Sequence, residues 1–132
     1  MKKLTPEQVV FVYNKVSGCT YSIDASQVSY NTIQSILKKA WGRTEDGTQY
    51  VYTYLQLKAA VMCMEIAKQK PFPDFNLNVA VLASLTLLEL NGVIIKLDEA
   101  SARQLSFLIS RKETEYSDLA DWFISHTEKS TK

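Results

Sequence analysis

One histidine, two cysteines, three prolines and four glycines are spread over 132 residues. Each scarcity excludes something. His126 stands alone, so a histidine-rich metal site cannot be built, and near the chain end it reads as a helix-end or surface residue. Cys19 and Cys63 are too few for a disulfide framework. Cys63 sits in an apolar helical run, where a thiol acts as a small hydrophobe. No Walker loop, dinucleotide fingerprint or nucleophile elbow occurs. Excess charge is missing as well. The net is +1, too balanced to recommend nucleic acid or an anionic membrane as a partner. The most apolar stretch, residues 79–90, is too short to cross a bilayer and contains Glu89. After Met1-Lys2-Lys3, the residues Pro6, Glu7 and Gln8 interrupt any signal-peptide core. The expectation is a soluble, cytoplasmic protein.

What is present is a globular composition, 46% hydrophobic and 22% charged. That is enough for one domain with a core of its own. The domain is expected over 1–126, with 127–132 fraying. Residues 1–43 carry six basic and two acidic side chains, while 44–94 carry three and five. This mild asymmetry reads as solvated surface. There are no internal repeats and no low-complexity segments.

The helical pattern recurs along the chain. Thr5, Pro6 and Gln8 form a capping-box start. Val9, Val10, Val12, Tyr13 and Val16 make an inward stripe that Ser17-Gly18 ends. Residues 18–26 read as loop. Ser26 is placed as the cap of a second helix carrying Val28, Ile33, Ile36 and Leu37, closed at Trp41-Gly42. A polar loop follows over 42–49. Tyr50, Tyr52 and Tyr54 then alternate with Val51 and Thr53. This reads equally as a short extended flap or as the start of a third helix running to Gln69. Pro71 and Pro73 force a loop. A fourth helix over about 76–90 is apolar nearly all round, which marks it as the buried centre. Asp98 caps a fifth helix with Leu105, Leu108 and Ile109 inward. A sixth covers 116–126, anchored by Leu119, Trp122 and Phe123. The fold class is all-α, a single bundle of about six helices around a buried central helix.

The loop Lys70-Pro71-Phe72-Pro73-Asp74-Phe75-Asn76-Leu77-Asn78, set before the apolar helix, resembles the signature of the Fic/Doc (death-on-curing) family. That signature runs His, any, Phe, any, Asp or Glu, small, Asn, Gly or Lys, Arg. Phe72, Asp74 and Asn76 match in spacing. Lys70 stands at the His position, Phe75 at the small one, and Leu77 and Asn78 at the last two. Leu4-Thr5-Pro6-Glu7-Gln8-Val9-Val10 resembles the opening helix of Doc toxins. Leu90-Asn91-Gly92-Val93 resembles the close of their central helix. Leu97-Asp98-Glu99-Ala100 and the segment from Tyr116 to Trp122 are similar to the last two helices. Together these stretches cover most of the chain.

The resemblance implies transfer of AMP or phosphate from a nucleotide to a protein hydroxyl. Such chemistry needs a base, a metal-holding carboxylate, a helix N-terminus at the phosphates and cationic neutralisation. Asp74 is the candidate metal ligand, with a plain loop carboxylate as the bland alternative. Asn76 is a candidate phosphate contact or a helix cap. Lys70 can bind phosphate but, as a cation near neutrality, cannot accept a proton. Phe72 is the apolar anchor of the motif. Tyr50, Val51 and Tyr52 correspond to the flap that docks targets by strand addition. Mg and ATP are cofactors only if the site is still competent. The inhibitory Ser/Thr-x-x-x-Glu-Gly/Asn motif of some Fic proteins is not found.

The expected function is therefore a Doc-like pseudoenzyme that keeps a protein-binding role, with an antitoxin-like chain or a target protein as partner. The alternatives are an active transferase with altered site chemistry, or an unrelated helical interaction module.

Overall fold

The computed structural model describes residues 1–18 and 29–128. Among them the structure is all-α, with six helices and two isolated β-bridges. The first, α1 (Pro6–Ser17), starts as its sequence dictates. Thr5 accepts the Gln8 backbone N–H, the Gln8 side chain returns the bond, and Pro6 sits where no N–H is needed. Gly18 ends it at φ +75°, a left-handed cap that a side chain would resist.

Ser29, rather than Ser26, caps α2 (Tyr30–Ala40) by accepting the Thr32 N–H. Ser26, Val28 and Cys19 lie outside the described residues. Trp41 closes α2, with its N–H bonded to the Leu37 carbonyl. The helical alternative for residues 50–54 is not realised: Tyr50 bridges antiparallel to Arg43, and α3 (Leu55–Gln69) begins only at Leu55.

The centre of the fold differs from the sequence expectation. In α3, Lys58 through Cys63 are buried without interruption, followed by Glu65 and Ile66. A helix buried on successive residues has neighbours on every side. It packs against α2, α4, α5 and α6. By contrast α4 (Asn76–Leu90) buries one face, through Val79, Ala80, Ala83, Ser84, Leu87 and Leu88. Leu85 is half-buried, and Leu82 and Leu90 are exposed. The apolar pattern of α4 thus overstated its burial. Small residues explain why α3 takes the middle. Ala59, Ala60, Ala80 and Ala83 are all fully buried, and α3 and α4 approach closely enough for the Ser84 hydroxyl to reach the Ala59 carbonyl at 3.4 Å. Burial also pushes the Cys63 thiol up to about 12, which leaves it inert.

Asp98 caps α5 (Glu99–Ser110) in a reciprocal box with Ser101. Leu105 and Ile109 face the core and Leu108 is half-buried. Glu115 and Asp118 form the box that starts α6 (Tyr116–Ser125). Thr127 bridges Ile95, and the Glu128 N–H donates to the Ile94 carbonyl at 2.7 Å. No described helix is long and apolar enough to cross a membrane.

Candidate functional site

The motif loop, residues 70–75, joins the C-terminus of α3 to the N-terminus of α4. Lys70 and Phe75 bracket it, both left-handed at φ +51° and +57°. They are the only described non-glycine residues with positive φ. Such a conformation costs roughly 1–2 kcal/mol per residue, so surrounding contacts must hold it. Those contacts are specific. The Asn76 Oδ1 accepts the Phe72 N–H at 3.0 Å, and its Nδ2 donates to the Phe72 carbonyl at 2.9 Å. The Phe72 ring is buried and stacks face to face on Tyr13, centroids 4.5 Å apart. The Tyr13 hydroxyl donates to Asp74 Oδ1 at 2.6 Å. The Ser29 N–H donates to the Pro71 carbonyl at 3.0 Å.

Asn76 is therefore the first residue of α4 and not its cap, and its amide is turned back onto Phe72. Phe75 occupies the cap position, with no side chain bonding to the first-turn N–H groups. Its ring is 46% exposed and lies at the α4 N-terminus where the resemblance implies a small residue. Asp74 is exposed, with one oxygen taken by Tyr13. No group of three or more His, Cys, Asp or Glu converges among the described residues. Magnesium held chiefly by substrate phosphates needs only one or two carboxylates, and Asp74 is the one the loop offers. Lys70 is the one cation within residues 70–78, and it is exposed.

Beside the loop runs an open groove of about 1340 Å³. It is lined by Lys70, Asp74, Phe75 and Leu77 from the loop and the start of α4, by Arg111 and Lys112 from the segment between α5 and α6, and by Tyr116 at the start of α6. Tyr52 lines it as well and packs edge-on against Tyr116, centroids 5.7 Å apart. Tyr50, Val51 and Tyr52 thus come close to the groove through Tyr52 only. Val51 is 54% exposed, and its N–H donates inward to the Gly42 carbonyl at 2.9 Å. The adjoining turn is tied by Asp46, whose carboxylate is held down to about 2 by bonds from Thr44 and Thr48.

Two clusters here were missed in the sequence. In the first, Tyr116 donates to Glu65 Oε2 at 2.7 Å, Gln69 donates to Oε1 at 2.8 Å, and Lys39 donates to the Tyr116 hydroxyl at 2.8 Å. Burial pushes the Glu65 carboxyl up. Hydrogen bonds from Tyr116 and Gln69, with the charges of Lys39 and Lys68, outweigh this and hold it below the usual range. Burial raises Tyr116. The hydrogen bond to Tyr116 raises Lys39. The second cluster centres on Lys58, which is fully buried among Trp41, Tyr50 and Tyr52. The available signal was the same for both: a charge interrupting an otherwise apolar helical run. His126 lies away from the motif groove, stacked on Trp122 at 3.9 Å.

No protein-family model matches the chain, and no curated protein matches it.

Proposed function

We propose that this chain is a Doc-like pseudoenzyme, a Fic/Doc-type bundle that has lost group transfer and keeps a protein-binding role. The observation that carries this reading is the conformation of Phe75. A bulky residue sits in a left-handed conformation at the α4 N-terminus, where the signature has a small residue and where phosphate would have to approach the backbone. A left-handed backbone at that point is what the signature's small residue would supply without strain. A phenyl ring at that residue, unlike a small side chain, competes with a phosphate for room at the helix start. Asn76 supports the same view, because its amide holds the loop together rather than facing a ligand. Lys70 supplies a charge and no proton acceptor. Leu77 and Asn78 give a polyphosphate nothing cationic to rest against. What survives is a shaped groove with mixed polar and apolar walls, suited to a segment of an antitoxin-like or target protein.

The test uses ATP labelled in turn at the α- and γ-phosphates, with magnesium and a lysate of the native cell. In either case the chain adds no labelled protein to those that the lysate labels without it. Transfer that Lys70→Ala abolishes would replace this reading with that of an active transferase. For the binding role, a photo-crosslinker at Leu77 traps a discrete protein partner, and one at exposed Phe11 on α1 does not. Equal trapping from both positions counts against a groove-specific partner.

A further inference from the structure

Lys58 is the largest side chain that the described fold buries completely. Its ammonium donates a hydrogen bond to the Tyr52 carbonyl. Its Nζ lies 4.1 Å from the centroid of the Tyr50 ring and 5.5 Å from that of Trp41. Arg43 stacks on the same Tyr50 ring at 4.3 Å, and Lys3 approaches the same Trp41 ring at 5.4 Å. Lys3, Trp41, Lys58, Tyr50 and Arg43 thus form a series that alternates cation and ring. The ion pairs of the described residues join Lys39 to Glu65, Arg103 to Glu99 and Arg111 to Glu113. None of them reaches the three cations of this series. A buried ammonium normally keeps a carboxylate partner, because one carbonyl and two ring faces replace its hydration only in part.

We propose that the unpaired Lys58 ammonium poises the flap, residues 42–52, to open. Closure is held by the edge-on contacts of Tyr50 with Trp41 and of Tyr52 with Tyr116, and by backbone bonds from Val51 to Gly42 and from Thr44 to Gln49. The ammonium beneath opposes it, since opening returns Nζ to water. The flap ends at Tyr52, which packs on Tyr116 at the groove wall. Opening therefore widens the groove at that end. The device stands whether or not the pseudoenzyme reading holds.

The sign of its pH dependence follows from linkage. The groups around Lys58 are Arg43, Tyr50 and Tyr52 from the flap, Lys3 from the N-terminal segment, and Trp41 from the end of α2. Glu65, further along α3, is engaged by Tyr116. Burial, and then the charge of Arg43, hold the closed-state Lys58 below the ordinary lysine range. Hydration in the open flap restores the ordinary value. Raising the pH through that interval removes the charge from the closed state and favours closure.

Hydrogen–deuterium exchange of the full chain reads the flap through the amides of Thr44 and Val51, with α3 amides as the internal control. Lys58→Met keeps the length and removes the charge. Its flap amides are expected to exchange about tenfold slower than those of the unmodified chain, with α3 unchanged. Equal or faster flap exchange overturns the proposal, as does a variant that fails to fold, because the charge would then be holding the flap shut. A second arm uses the unmodified chain alone. After correction for intrinsic exchange, flap protection relative to α3 rises as the pH approaches the ordinary lysine value of about 10.4 from below. Flat or falling protection overturns the proposal independently of any variant.

Discussion

The side-chain amide of Asn76 pairs with the backbone of Phe72 in both directions, accepting its N–H at 3.0 Å and donating to its carbonyl at 2.9 Å. The other end of α4 repeats the device. Asn91 accepts the Lys2 N–H at 2.7 Å and donates to the Lys2 carbonyl at 2.9 Å. Only an amide offers a donor and an acceptor side by side with the spacing of a peptide group. Each asparagine therefore acts as one more backbone unit, and each fastens a loop to α4. Asn76→Ala leaves the partly buried Phe72 N–H without its partner and is expected to cost about 1–3 kcal/mol. Asn76→Asp keeps the acceptor but sets a carboxylate against the Phe72 carbonyl, so it is destabilising as well. Denaturant unfolding of both variants checks this. Stability unchanged by either would mean that the loop is held without the amide.

Phe75 offers a contrast that inverts the usual ranking of alanine and glycine. Its φ of +57° strains any residue with a Cβ, and its ring is half-exposed. Phe75→Ala and Phe75→Gly lose the same ring contacts, but only glycine relieves the backbone. The glycine variant should be the more stable of the two by about 1 kcal/mol. Chemical denaturation measures the difference directly. An alanine variant at least as stable would show that Phe75 does not hold a left-handed backbone in solution.

On α4, the core face and the outer face are separable by single truncations. Leu87 is completely buried, whereas Leu82 is 38% exposed. Leu87→Ala should cost about 2–5 kcal/mol, and Leu82→Ala clearly less. Similar losses at both positions would restore α4 to the enclosed centre that its composition implied.

That implication shows where the sequence was legible and where it was not. Caps were readable because they are local: Thr5 with Gln8, and Asp98 at α5, form the bonds that their spacing requires. The motif loop was readable from its two prolines. The identity of the central helix was not, because α3 is diluted by Lys58 and Glu65 while α4 is rich in leucine. Hydrophobicity marks what can be buried, and small residues at a crossing decide what is. Glu65 meets Tyr116 and Lys39 from other helices, and no spacing along the chain reveals such a meeting. At the candidate site, Phe72, Asp74 and Asn76 come together near Tyr13. The partnership of Tyr13 with Asp74 joins α1 to the loop, and nothing in the motif itself announces it.

Changing Lys70 to histidine supplies a proton acceptor and nothing else. A general base contributes roughly 10²–10⁴-fold, and only when the reacting phosphate is already positioned. On the Doc-like reading proposed above, Phe75, Leu77 and Asn78 stand at the positions whose residues would position it. Lys70→His alone should therefore transfer no label from ATP. A variant that also carries Phe75→Gly, Leu77→Gly and Asn78→Arg should bind magnesium-ATP measurably more tightly in a calorimetric titration. Equal, tight binding by the unmodified chain would overturn the pseudoenzyme reading.

Glu65 sets an acid dependence whose sign can be worked out. Its carboxyl is held below the usual range in the folded chain because the bonds from Tyr116 and Gln69, with the Lys39 and Lys68 charges, exceed the opposing effect of burial. A group with a lowered folded pKa contributes stability that is fully present above its unfolded value, about 4.3, and is lost as pH falls through the folded value. Glu65→Gln keeps an acceptor for the Tyr116 hydroxyl and removes the titration. The variant should be less stable than the parent near neutrality, and the gap should narrow as pH falls below the ordinary glutamate value of about 4.3. Unfolding free energies measured across that range decide it. A gap that stays constant with pH would place the contribution of Glu65 in its hydrogen bonds alone, with its charge making no difference to the fold.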